Sequence, residues 1–234
     1  SQGSLSDASP RSRDIARARR AMSQLLGGAS APGPRWDSAR VATKIATWRA
    51  WTISDRRLED GRPAVMVLVD TSPSMGPWID EVLAIGRALS RTGLPAGEVV
   101  VVNTANAEPY EVIYPGCRRA EYVYAGVDNP MAWYRDVISR YQVQAVVVVA
   151  DWDGADIYRQ LAEMGIPVYW VDVYGCTKLG REMVVPFAPK WAIATMSDVV
   201  NKWSRAARAR VKYALGCGNV ESMLRALEVM IRRG

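Results

Sequence analysis

Apolar positions along this chain form helical stripes at first and solid short runs later. Between residues 11 and 26, Ile15, Ala18, Met22 and Leu25 fall on one stripe, with Arg13, Arg17 and Arg20 largely off it, which predicts an amphipathic helix. Gly27-Gly28 stops that helix, and residues 29–34 read as a linker. A second helix is expected from Asp37 or Ser38 to about Trp51, followed by the turn Asp60-Gly61-Arg62-Pro63.

From residue 64 the period changes. Residues 64–69, 99–102, 145–150 and 168–173 are near-continuous apolar runs, the pattern of strands buried on both faces. Residues 110–114 alternate instead, as a partly exposed or edge strand does, and residues 191–196 are expected to form the last strand. Helices are predicted between them. One covers residues 78–90, with Ile79, Val82, Leu83 and Leu89 inward. The next covers 130–141, opened by Pro130, with Tyr134, Val137, Ile138 and Tyr141 inward. A third covers 155–164 and is closed by Gly165. Ser197 is expected to cap a helix reaching about Leu215, and Asn219 to open a final one with Met223, Leu224, Leu227 and Ile231 on one side.

Apolar strands alternating with helices mean an α/β protein: a doubly wound, mostly parallel, Rossmann-like sheet with helices on both faces. The only hairpin expected joins the strands near residues 99 and 110. An N-terminal helical extension and C-terminal helices complete the plan. The chain divides into a flexible basic segment with a short helix (1–35), a helical lead-in (36–62), the α/β domain (63–200) and basic C-terminal helices (201–234).

Composition narrows the chemistry. The 234 residues include no histidine, and the three cysteines, Cys117, Cys176 and Cys217, are widely spaced. This argues against a disulfide framework and excludes the usual zinc sites, Ser-His-Asp triads and Cys-His dyads, and a reducing, cytoplasmic location is expected. No stretch is apolar for long enough to span a membrane. The chain opens on Ser1 rather than Met, as a segment of a longer protein would. The net charge of +6 sits at the ends. Residues 1–35 hold six Arg against two Asp, and residues 200–234 hold eight Lys or Arg against two Glu, which leaves the middle at −4.

Without histidine or a cysteine pair, any metal must be held by oxygen. The run 64–69 ends in Asp70-Thr71-Ser72-Pro73-Ser74, and the run 145–150 ends in Asp151-Trp152-Asp153-Gly154. In doubly wound sheets ligands bind outside the carboxyl ends of the strands, where strand order reverses. Both acidic residues would emerge on that edge. Mg²⁺ takes six oxygens and keeps several waters, so Ser72 and Ser74 hydroxyls with the Asp70 and Asp151 carboxylates suit it, with Mn²⁺ or Ca²⁺ as alternatives. Few carboxylates would leave the cation attractive to an anionic oxygen from outside.

The strand followed by Asp-x-Ser-x-Ser, with a later strand ending in Asp, resembles the von Willebrand factor A domain family over roughly residues 63–200. The resemblance implies a metal-ion-dependent adhesion site at Asp70, Ser72, Ser74 and Asp151. One departure concerns the family's threonine ligand, whose position in Ala125-Gly126-Val127-Asp128 falls on Val127. Either Asp128 or Asn129 substitutes, with Thr104 as a further stand-in, or the site is weakened; Asp153 is another candidate ligand. Intracellular members resembled here work beside AAA+ ATPases of the MoxR class. This implies an adaptor that grips an exposed Asp or Glu of a partner protein and is not an enzyme.

Several residues have competing readings. Trp78 and Trp152 flank the motifs and either form the partner interface or pack loops; Trp48, Trp51, Trp133, Trp170, Trp191 and Trp203 are assigned to core or inter-helix packing. The Asp151/Asp153 pair also resembles the paired carboxylates of metal-dependent phosphatases and nucleases. Arg205, Arg208, Arg210 and Lys212, placed on the helix after Ser197, would bind nucleic-acid phosphates or form a solvated face.

Overall fold

The computed structural model describes residues 10–26, 31–36, 38–48, 56–59, 62–76, 79–123, 129–151, 153–173, 202–216 and 219–233. The elements in chain order are α1 (Ser12–Ser23), β1 (Ala31–Trp36), α2 (Ser38–Ala46), β2 (Arg56–Glu59), β3 (Ala64–Asp70), a 3-10 turn (Pro73–Met75) and α3 (Ile79–Thr92). They continue with β4 (Glu98–Ala105), β5 (Glu108–Ile113), β6 (Glu121–Tyr122), α4 (Pro130–Tyr141), β7 (Val143–Ala150), α5 (Ala155–Glu163) and β8 (Val168–Asp172). The chain closes with α6 (Arg205–Arg210), β9 (Val211–Leu215) and α7 (Val220–Arg232).

Seven strands form one sheet in the order β6-β5-β4-β3-β7-β8-β9. β3, β4, β7, β8 and β9 run parallel, and β5 and β6 are antiparallel additions at one edge. The chain winds from β3 outward to β4, then crosses back past β3 to β7, so strand order reverses at β3. This is the expected doubly wound, mostly parallel α/β fold.

The pleat sends alternate residues to two cores. Val65, Val67, Val69, Val99, Val101, Val147, Val149 and Val171 meet α1, α3 and α7. Met66, Leu68, Val100, Val102, Val146, Val148 and Trp170 meet α4, α5 and α6. The helices start where their caps allow. Asn129 Oδ1 accepts from Ala132 N ahead of α4, with Pro130 at the first position; Asn219 Oδ1 accepts from Ser222 N ahead of α7, as expected.

Three expectations are corrected. Residues 31–36 are not a linker but a strand, paired antiparallel with β2. The helix expected from Ser197 to Leu215 is, within the described residues, the short α6 capped by Ser204 and then a strand, which pairs with β8 from Val168↔Val211 to Asp172↔Leu215. Trp48, assigned to packing, is 97% exposed. Arg17, off the apolar stripe, is nevertheless held between α1 and α7 with its side chain only 16% exposed. Trp170 and Trp203 are buried as expected, whereas Trp51, Trp191 and the strand expected at 191–196 lie outside the described residues.

Arg17 clamps the N-terminal helix to the C-terminal one. Its Nε and Nη2 reach Glu228 Oε1 and Oε2, both at 2.9 Å, and Nη1 reaches Glu221 Oε2 at 2.6 Å. The hydrogen bonds from Arg17 hold both carboxyls below the usual value of 4.5, assisted at Glu221 by the charges of Arg13 and Arg225 and at Glu228 by that of Arg232. A lowered folded-state pKa adds stability that is complete above the unfolded value and is lost as pH falls through the folded one. The α1–α7 contact is therefore expected to hold at neutral pH and loosen below about pH 4.5. Hydrogen exchange of α1 amides across an acid titration checks this, and Arg17→Met should flatten the dependence.

A carboxylate-lined edge at the strand reversal

β3 ends in a turn closed by its own side chain. Asp70 Oδ1 accepts from Ser72 N at 2.8 Å and from Ser72 Oγ at 2.5 Å. Ser72 donates its hydroxyl proton, so its oxygen lone pairs stay available. Ser74 lies in the 3-10 turn that follows, and Gly76, with φ +82°, supplies the left-handed residue that redirects the chain towards α3.

The end of β7 repeats this arrangement. Asp151 Oδ1 accepts from Asp153 N at 3.1 Å, closing the same two-residue turn. β3 and β7 are parallel neighbours, about 4.8 Å apart in the sheet. Asp70 and Asp151 are thus brought to one edge, 1% and 5% exposed, with Ser72 beside them.

The remaining candidates separate from this group or fall outside it. Asp153 is exposed and contributes its backbone N–H. Asn129 Oδ1 caps α4 by accepting from Ala132 N at 3.1 Å. Thr104 stands opposite Asp70 in the β3–β4 register, fully buried, with its hydroxyl donated to Val69 O at 3.4 Å. Arg205, Arg208 and Arg210 are exposed on α6, but Lys212 is half-buried on β9 and not on a helix with them. The Ser74 side chain, Trp78, Val127, Asp128 and Trp152 lie outside the described residues.

Two residues at this edge were not singled out from the sequence. Asp172 ends β8, fully buried, and accepts from the Tyr213 hydroxyl of β9. Tyr158 of α5 is also fully buried, and its hydroxyl has no hydrogen-bond partner among the described residues. Burial pushes that phenol well above its usual value, with Tyr134, Asp70, Asp151 and Asp172 adding in the same direction, so it stays protonated. Three adjacent strands, β3, β7 and β8, therefore each present an acidic residue at or just beyond their carboxyl ends. The signal for Asp172 was present, since it ends an apolar run as Asp70 does.

Gly154 lets the edge close. A Cβ there would fall 2.5 Å from the Ala107 methyl and 2.6 Å from the Tyr158 hydroxyl. Ala107 sits at φ +64° in the β4–β5 hairpin turn, an unfavourable backbone for alanine, and the buried methyl compensates by filling the space over Gly154. Tyr134 fixes the turn by donating to Ala107 O at 2.6 Å. Gly154→Ala is expected to cost about 2 kcal/mol through overpacking, read as a lower urea midpoint.

The decisive feature is on Asp70. Its Oδ2 is buried and has no hydrogen-bond partner among the described residues. A buried carboxylate oxygen is costly unless something positive meets it. No group of three or more Asp, Glu or Cys side chains placed to hold a metal occurs among the described residues. A site here would combine carboxylate with hydroxyl oxygens. Asp70, Ser72 and Asp151 fit such a site in donor chemistry: all are hard oxygens, and one is without a partner.

The fold and this edge define a doubly wound α/β protein with three buried acidic residues, Asp70, Asp151 and Asp172, at the strand ends beside the reversal. No family model matches the chain, and no curated protein matches it. No helix among the described residues is long and apolar enough to cross a membrane.

Proposed function

We propose that this chain is a von Willebrand factor A-like binding module that takes one divalent cation, Mg²⁺ by preference, at Asp70, Ser72, Ser74 and Asp151. The observation that carries this reading is the partnerless, buried Asp70 Oδ2 beside Ser72, on the strand next to the one that delivers Asp151. Bound there, the cation would supply positive charge to an anionic oxygen arriving from outside. Asp70 and Asp151 would neutralise part of that charge, and the two serines would orient the site without adding negative charge. The protein partner is one with an exposed Asp or Glu, and an AAA+ ATPase of the MoxR class fits the role. Gripping, not turnover, suits the residues: Asp153 is exposed, its backbone N–H shapes the Asp151 turn, and no histidine exists for proton transfer.

Calorimetric titration of EDTA-treated protein with Mg²⁺ tests this. One site per chain is expected, with affinity reduced about tenfold or more in Ser72→Ala. No heat and no Mg²⁺-dependent rise in melting temperature would overturn the reading. Capture of the partner should then require Mg²⁺ and an acidic side chain on the partner.

A further inference from the structure

A second site lies away from the sheet edge, in the cleft between α1 and α7. It encloses about 460 Å³, within the usual range for small-ligand sites. Its walls carry Arg13, Arg17 and Arg20 from α1 and Arg232 from α7. Arg13, Arg17 and Arg20 follow at intervals of four and three residues, so they share one helix face.

The charges are not balanced within the cleft. Arg17 is matched by Glu221 and Glu228, and Arg13 stands 3.7 Å from Glu221, a carboxylate already taken by Arg17 at 2.6 Å. Arg20 and Arg232 form no ion pair among the described residues. Arg232 Nε only reaches Glu228 O at 3.3 Å. Four guanidinium groups thus meet two carboxylates, and the unmatched ones are exposed at the mouth. The Glu clamp fixes the two helices that carry them, so the arrangement does not have to be assembled on binding.

We infer that this cleft binds a compact polyphosphate anion. Guanidinium forks match phosphate oxygens in pairs. Arg13 and Arg20 are about 10 Å apart along α1, with Arg232 facing them from α7. A ligand that serves all three must concentrate several charges in a short span, which a polyphosphate does and an acidic peptide, with one charge per residue, does less well. Single-stranded nucleic acid is disfavoured because no aromatic side chain among the described residues lines the cleft to stack a base. Ala16, Ala21 and Ile231 give the cleft a partly apolar lining, which lowers the local dielectric around the charges.

The test uses the full chain in EDTA, so that it is independent of the proposed cation site. Inorganic tripolyphosphate is titrated by calorimetry at about 50 mM salt. One-site binding is expected. It should weaken at least tenfold in the double variant Arg20→Gln/Arg232→Gln, whose positions are exposed and whose fold is checked by its melting temperature. Binding should be unchanged in Arg205→Gln/Arg208→Gln. Absence of binding, or equal loss in both double variants, would overturn the inference. So would tighter binding, through Arg20 and Arg232, of a polyglutamate peptide or a single-stranded oligonucleotide.

Discussion

Trp170→Ala should lower the stability of the folded chain by about 4 kcal/mol, the largest loss expected from any single truncation here. Trp170 is fully buried on β8 and packs edge-on against Tyr158 at 4.9 Å and Tyr213 at 5.6 Å between ring centroids. Its indole N–H donates to Ala150 O at 3.2 Å, tying β8 to the residue just before Asp151. Alanine removes the ring, leaves a void between two tyrosines and leaves that carbonyl with only the longer bond from Val173 N at 3.4 Å. Trp170→Phe keeps most of the packing and loses the donor, so its cost should be nearer 1–2 kcal/mol. Denaturant unfolding of the pair separates cavity from hydrogen bond. Near-equal losses would mean that Trp170 matters for its N–H and not for its bulk.

Trp170 also shows why part of this fold could be read without coordinates. It stands in a run where both neighbours on the strand are apolar, and a parallel strand covered on both faces must have that composition. The runs ending at Asp70 and Asp151 carry the same signature, which is why β3, β7 and the acidic edge between them were legible. β9 was not. Val211-Lys212-Tyr213-Ala214-Leu215 follows a stretch rich in Ala and Arg, which are strong helix formers, and Lys212 interrupts the apolar run. The segment is extended because β8 offers it a ladder, and that partner is distant in sequence. The strand at 31–36 failed for the same reason: two prolines and a glycine read as a connector until pairing with β2 is known.

Site chemistry divides in a similar way. The identities of Asp70, Ser72 and Asp151 and their position at strand ends are local facts. The burial of Asp70 Oδ2, the approach of the Tyr158 hydroxyl to Gly154 and the Arg17 clamp are not. Arg17 meets Glu221 and Glu228 across 204 and 211 residues, so no window along the chain could show that this arginine is sunk while Arg20 on the same helix is exposed.

The second large effect tests the acidic edge from the opposite direction. Asp70→Asn should make the cation-free protein more stable, by about 1–2 kcal/mol, because a buried charge with an unmet oxygen becomes a neutral amide. Asn keeps an oxygen to accept from Ser72 N and Ser72 Oγ, so the turn after β3 should survive. The same substitution should abolish stabilisation by Mg²⁺, which for the parent chain is expected to reach about 2.7 kcal/mol at a hundredfold excess over Kd. The two melting curves should therefore cross: the variant melts higher in EDTA and lower in saturating Mg²⁺. A residue that only caps a turn gives neither result, since its neutral analogue is at best equal in EDTA and Mg²⁺ does not separate the two proteins. Stability given up at Asp70 in the absence of cation, and recovered on binding it, is what a retained binding site predicts and a vestigial one does not.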